Sequence, residues 1–396
     1  MKSSPVTLSK RVETLDIMRG FALLGIFIAN MLHFHSPYLY YDAFTWFTAP
    51  GEIQTFKWID IFVEASFYPI FAMLFGYGLN MQYEKAVANR SPFASVASKR
   101  MAILLVFGLL HALFIWYGDV LFTYAVMGFI IIALVRMSAK WLVPLAAVLY
   151  IVPTTLLYLV TKMLPNMDDY ANIQQIELSV SAYAMGTYGE IFKFRLFEWL
   201  IYGLSSTFMG IFIVLPIIMM GVVLSKWKVI ERAKELRVRI AVVTIITLGL
   251  GIWIKSLPYI GKPTTDVVLL QDMYGGVILA AGYVGIIMLL CTAPVFRAVF
   301  KPIGKVGRMS LTTYITQSIV ATTIFYAYGF GLYGKVDLAT GTWIAIGVFA
   351  LQVIFAELWL SKFQMGPLEW LWRKGTYGKK FGRTLENKEE NAKDLS

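Results

Sequence analysis

Charge is scarce in this chain. Of its 396 residues only 15% are Asp, Glu, Lys or Arg, while 58% are hydrophobic, and the mean hydropathy is +0.66. A soluble domain has no interior large enough to hide that apolar fraction, which excludes an ordinary soluble protein and predicts a polytopic membrane protein. Cysteine is nearly absent. Cys291 stands alone in an apolar stretch, which excludes an internal disulfide and reads as a small buried apolar residue. Histidine is almost as rare: His33, His35 and His111 lack the helical HxxxH spacing, so no bound metal is expected. The chain also has no Walker A loop, no GxGxxG turn and no internal repeat. The phosphate-binding loops of soluble nucleotide enzymes and the repeat architectures are therefore excluded.

What the chain has is long hydrophobic runs. Apolar segments of about 20 residues mark spans. They lie near 17–34, 57–81, 101–117, 119–135, 141–163, 203–225, 239–256, 267–291, 309–330 and 341–361. The third and fourth are short and joined by the tight turn Tyr117-Gly118-Asp119. The net charge of +11 does not signal nucleic acid, because the basic residues alternate loop by loop. Segments 1–19, 82–100, 136–140, 226–239, 297–308 and 362–396 hold 28 Lys and Arg. The other side holds 7: Lys57, Lys162, Lys193, Arg195, Lys255, Lys262 and Lys335. The positive-inside rule then puts both termini in the cytoplasm. The expected fold is all-α: a polytopic integral membrane protein of about ten transmembrane helices. Residues 1–375 form a single transmembrane domain, and 376–396 form a basic, polar cytoplasmic tail without expected order. The N-terminal segment reads as a retained signal anchor, since no small-residue cleavage site follows it. The outer loop 164–192 carries Asp168, Asp169, Glu177 and Glu190, and IFKFRLFEWLIYG (191–203) reads as an interfacial amphipathic helix.

Ionisable groups are costly in a bilayer, so each one at membrane depth is a functional candidate. These are Asp16, Arg19, Asp60, Glu64, His111, Asp119, Glu198, Asp272 and Glu357. His111 lies eleven residues beyond Arg100, about 16 Å along a helix, which puts it in the outer half. Asp119 falls about one to two helical turns above the imidazole. Asn30, His33 and His35 close span one on the same side, and Asp60 and Glu64 lie in the outer half of span two. A histidine beside a carboxylate is the usual arrangement for a general base or proton relay. The same pair also serves simply to hold two helices together. The opposite face is basic: Arg19-Gly20, Lys99-Arg100 and Lys305 to Arg308 open spans one, three and nine. Arginines and glycines at helix N-termini hold phosphates, although topology alone also accounts for basic residues there. Asp16, three residues before Arg19, would fix the guanidinium at the membrane surface.

Six stretches resemble, in order, the motifs of the YeiB-like family, a domain of unknown function (418). They are RVETLDIMRGFALLGIFIANM (11–31), FAMLFGYGL (71–79), GLLHALFIWYGDVLFTYAVMGF (108–129), VGRMSLTTYITQSI (306–319), FYAYGFGLYG (325–334) and FQMGPLEWLWRKGTYG (363–378). His111, Gly118 and Asp119 fall on the family's characteristic positions, which ranks His111 above His33 and His35. Many relatives have a lysine where this chain has Ser66 and an asparagine where it has Thr313, so no lysine chemistry or asparagine contact is carried over to those sites. More remotely, the family is similar to transmembrane acyltransferases, among them the lysosomal heparan-alpha-glucosaminide N-acetyltransferase and the enzymes that O-acylate bacterial surface glycans. The shared element is Asp16-x-x-Arg19-Gly20 with a polar residue, here Asn30, eleven positions after the arginine.

This resemblance implies an acyl or acetyl group taken from a cytoplasmic coenzyme A thioester and delivered to an acceptor on the far side. Asp16, Arg19, Gly20 and Arg100 would hold the donor's phosphates. His111, oriented by Asp119, would deprotonate the acceptor, and Asn30 would position a substrate or stabilise the oxyanion. The expected partners are the lipid bilayer, an acyl-CoA or acetyl-CoA donor and an acceptor left open. No nucleic acid is expected, a homodimer is left open, and the location is the cell membrane. Two other readings stand beside it. One is a small-solute transporter, proton-coupled through His111 and the membrane carboxylates, with the glycine-rich 274–285 as a moving helix. The other is a non-catalytic sensor or envelope component.

Overall fold

The computed structural model describes residues 12–163 and 170–378. The basic N-terminal residues, Asp168, Asp169 and the tail beyond 378 lie outside the described residues. Among the described residues every regular element is helical, and an isolated bridge joins Tyr41 and Ala171. The protein is an all-α polytopic membrane protein. In hydrocarbon only a helix or a closed barrel satisfies every backbone N–H and C=O, and these sequences take the first solution.

Among the described residues, seven helices are long and apolar enough to cross a bilayer: α1 (Glu13–His35), α4 (Phe93–Phe114), α6 (Ala139–Met163), α8 (Tyr188–Lys226), α9 (Arg237–Lys255), α10 (Thr265–Leu290) and α13 (Leu338–Lys362). Between them lie α2 (Pro50–Phe62), α3 (Tyr68–Ala88), α5 (Leu121–Leu134), α7 (Ile173–Val180), α11 (Pro294–Arg308), α12 (Ser310–Phe325) and α14 (Pro367–Tyr377). α1 is central and mostly buried, packed by α3, α11, α12 and α13. α6 and α13 are peripheral and turn Val148, Leu156, Leu351 and Leu358 outward, as a lipid-facing surface requires.

Three elements depart from the expected spans. The apolar run 57–81 is not one helix. It breaks at residues 63–67, where Ala65 takes a left-handed conformation (φ 58°) and α3 restarts with Pro69 in its first turn. Proline has no N–H to offer the carbonyl four residues back, so the first helix cannot run on through it. The segment 191–203 is not a separate interfacial helix. A capping box of Thr187 and Glu190 starts α8 there, and the chain continues through a π turn at Trp199–Gly203 and past Pro216 to Lys226. The basic stretch 297–308 is no loop but the amphipathic helix α11, laid against α1. A Cβ on Gly307 would stand 1.9 Å from the Asp16 carbonyl oxygen, so only glycine lets the two backbones meet. Finally, α14 carries the ordered helix past Gly375 to Tyr377.

Candidate functional site

The site begins with the turn after α4. The backbone N–H groups of Ile115 and Trp116 both return to the His111 carbonyl, so the chain folds back instead of rising away. Gly108 lets the start of α5 press in: a Cβ there would lie 2.3 Å from the Phe122 nitrogen. Asp119 therefore drops beside His111 rather than a turn or two above it. Its Oδ2 lies 2.8 Å from His111 Nδ1, and its Oδ1 accepts the Phe122 N–H at 2.6 Å. Both side chains are fully buried. The carboxylate thus caps α5 and accepts a hydrogen bond from Nδ1–H, which in the neutral imidazole leaves the lone pair on Nε2. That nitrogen is buried with no hydrogen-bond partner among the described residues. The ring of Tyr314 lies 5.1 Å from the imidazole, and its hydroxyl reaches the Gly118 carbonyl at 3.3 Å.

Below this pair is a cavity of about 240 Å³ bounded by α1, α3, α4, α5, α11, α12 and α14. At the basic face Arg19, Arg100, Arg308 and Arg373 line it; at its inner end are Val120, Tyr124 and Tyr314. Arg19 pairs with Asp16 at 3.0 Å, as their spacing predicts. The Arg100 guanidinium lies 4.2 Å from the centre of the Trp372 ring, and the Trp372 indole donates to the Arg100 carbonyl at 2.9 Å. Glu369 fixes α14 under the cavity. Its carboxylate accepts from the Leu311 and Thr312 N–H groups at 2.7 and 3.1 Å and from the Thr312 hydroxyl at 2.7 Å. Helix α12 has no side-chain cap of its own at Met309, so a residue 58 positions away supplies it.

The expected site residues divide between three places. Arg19 and Arg100 line the cavity, and His111 and Asp119 sit behind its Tyr314 and Val120 wall. Gly20 does not face the cavity: a Cβ there would strike the Ile303 carbonyl oxygen, so its small size serves packing against α11. Asp16 lines a second, basic hollow with Arg297, Lys301 and Lys305. Asn30 is half-buried and lines neither. It does continue the row Arg19, Leu23, Ile26, whose 4, 3, 4 spacing is one helix face, so it stands one turn beyond the cavity. His33, ranked low in the sequence, follows on that face with Nδ1 3.1 Å from the Tyr117 hydroxyl. Glu198 is buried with Tyr40 and Tyr183 as donors, and Glu357 pairs with Lys305.

Sequence reasoning missed a second polar centre. Lys255, counted among the loop lysines, is fully buried, with Nζ 2.9 Å from Asp272 Oδ1 and 3.7 Å from Asp60 Oδ1. Asp60 Oδ2 also accepts from the Tyr259 hydroxyl at 2.8 Å and from the Gln271 amide. Glu64, in the break between α2 and α3, accepts from the Tyr38 hydroxyl at 3.1 Å. The available signal was Asp272 within an apolar run, since a carboxylate at that depth calls for a cation.

A family model described as "Protein of unknown function (DUF418)" matches residues 224–379. The uncharacterized protein YxaH of Bacillus subtilis is 32% identical over 94% of this chain and 96% of its own length. The chain belongs to the YeiB-like DUF418 family. The uncharacterized protein YeiB of Escherichia coli is 25% identical over 93% of the chain and 96% of its own length. A 39.9 kDa protein from the amylase 3′ region of Bacillus acidopullulyticus is 27% identical over 95% and 97%. The segment matched by the DUF418 model supplies Lys255, Asp272, Arg308, Tyr314, Glu369 and Arg373, whereas Arg19, Arg100, His111 and Asp119 lie outside it.

Proposed function

We propose that this DUF418 protein is an acyltransferase of the cell membrane, with both termini cytoplasmic, that passes an acyl or acetyl group from a coenzyme A thioester to an acceptor on the far side. The observation that supports it is the single cavity with four arginines at one end and Tyr314, backed by His111, at the other. Arginine forks suit phosphate oxygens, so Arg19, Arg100, Arg308 and Arg373 would hold the donor's phosphates at the basic face. The thioester arm would then reach inward to Tyr314. His111 Nε2 would take the proton of the acceptor hydroxyl or amine as its oxygen or nitrogen attacks the thioester carbonyl. The carbon–sulfur bond breaks, and the departing thiolate takes a proton from the imidazolium. Tyr314 stands between, so its ring would have to turn aside when both substrates are present. Asn30, one turn beyond the cavity, would meet the acceptor as it enters.

The test is calorimetric titration of acetyl-CoA into the purified full-length protein in detergent. Saturable binding that weakens in Arg100→Ala and Arg373→Ala supports the reading, and absence of binding at millimolar ligand removes it. A transporter is the second reading, favoured by the helix break at 63–67, because discontinuous helices often hold the substrate in transporters. Proteoliposome flux of a solute that stops in His111→Ala would support that reading over acyl transfer.

A further inference from the structure

Helix α11 begins just after the spanning helix α10, so it lies where that span ends. Its basic residues Arg297, Lys301, Lys305 and Arg308 recur at intervals of 4, 4 and 3, which is one face of a helix. All four line a hollow of about 220 Å³, closed on its other side by Glu13, Asp16 and Ile17 of α1. The two helices meet closely there. A Cβ on Gly304 would stand 3.1 Å from the Ile17 side chain, and the Phe300 ring lies 5.2 Å from that of Phe21. Topology asks for basic residues at such a face, but it does not ask that four of them share one hollow.

The charges of the hollow do not cancel. Lys305 pairs with Glu357 and Asp16 with Arg19, and both of those partners lie outside it. Arg297 and Lys301 form no ion pair among the described residues, and the hollow sets one further carboxylate, Glu13, against the two of them. An independent feature says where the balancing anion comes from. Across the helix from the basic stripe, Val295, Phe296 and Val299 are 71%, 43% and 63% exposed. An amphipathic helix so divided, at the end of a span, sets its apolar side among the acyl chains and its basic side at the headgroups. The hollow therefore stands at the level of the lipid phosphates. A zwitterionic lipid would bring its own ammonium against Arg297 and Lys301, whereas an anionic one brings only the phosphate.

We infer that the hollow between α1 and α11 is a binding site for an anionic phospholipid of the bilayer, its phosphate held by Arg297 and Lys301 while Val295, Phe296 and Val299 seat the helix among the chains. Basic pockets beside membrane helices take lipid phosphates in this way. Arg308 lines both this hollow and the arginine-lined cavity, but the lipid site does not depend on acyl transfer.

The probe is dioleoylphosphatidylglycerol, titrated without any acyl donor into the full-length protein in a non-ionic detergent. Melting temperature should rise saturably with it, and not with dioleoylphosphatidylcholine or inorganic phosphate at equal concentration. The double variant Arg297→Gln, Lys301→Gln should weaken the apparent affinity roughly 10- to 30-fold, as expected for two basic residues beside an anionic headgroup. The double variant Lys228→Gln, Lys234→Gln removes as much charge outside the hollow and should leave the affinity unchanged. In the wild type, phosphatidylglycerol should also slow acetylation of Lys301 but not of Lys228, read by mass spectrometry, which keeps the test open if the variants fail to fold. An equal response to phosphatidylcholine, a response to inorganic phosphate, no response, equal weakening in both double variants, or an unprotected Lys301 would each overturn the site. No coenzyme A enters the experiment, so its failure leaves the acetyl-CoA titration untouched, and the reverse holds as well.

Discussion

Asp119→Asn tests the histidine pair most sharply, because the replacement keeps size and shape while changing one atom. The wild-type carboxylate accepts two hydrogens, from His111 Nδ1 at 2.8 Å and from the Phe122 N–H at 2.6 Å. An amide has one acceptor oxygen and one donor nitrogen, so it satisfies only one of them. If the oxygen keeps Phe122, the amide nitrogen faces His111, which must move its proton to Nε2 and lose its basic face. If the oxygen keeps His111, two donors confront each other at the start of α5, at a cost of about 0.5–2 kcal/mol for the lost cap. The burial of both side chains leaves no water to relieve either arrangement. The cheaper outcome is the tautomer switch. It should remove general-base assistance, about 10²- to 10⁴-fold in rate for any proton-abstracting step, while lowering stability little. The measurement needs no substrate: histidine-selective ¹⁵N labelling places three residues in the spectrum. The wild-type His111 should show a protonated Nδ1 and a bare Nε2, and the two should exchange in Asp119→Asn. A wild-type spectrum with the proton on Nε2, or a variant spectrum with no exchange, would refute the base assignment.

Three further outcomes follow from packing and charge. Gly307→Ala should destabilise at or above the upper end of the ~1–3 kcal/mol typical of overpacking, because its Cβ meets the Asp16 backbone rather than a yielding side chain; denaturant unfolding in detergent measures it. Glu369→Ala should cost about 1–2 kcal/mol for the lost cap on α12 and loosen α14, read as faster hydrogen exchange over 367–377. Lys255→Met should cost about 3–5 kcal/mol, as expected for stranding a buried charge, and part of that should return in the double variant with Asp272→Asn.

The helices were legible because bilayer physics allows little else: an apolar run of sufficient length must satisfy its own backbone. What hydropathy could not see is continuity within a run. Residues 57–81 read as one span because the break at 63–67 rests on the left-handed backbone of Ala65, an apolar residue, and on Pro69, whose single position hardly changes the mean hydropathy of a long run. The converse error fell at 191–203, where Arg195 and Glu198 suggested an interface. Both are buried instead, Arg195 donating to the Leu113 carbonyl at 3.1 Å and Glu198 accepting from two tyrosines. Composition cannot distinguish a charge at the headgroups from one paired inside the protein.

The same limit shaped the candidate site. His111 and Asp119 were visible because a short turn joins them, so local geometry brings them close. Tyr314 and Arg373 reach the cavity from helices far along the chain, and no spacing rule reports such contacts. Lys255 is the most instructive case, since the charge count placed it only as one of seven basic residues in the other set of loops and span ends. It is fully buried, as is Arg195, so five of those seven basic residues remain exposed or half-buried. A buried lysine leaves the topological count and enters the chemistry, because its place inside the protein is tenable only where Asp60 and Asp272 meet it.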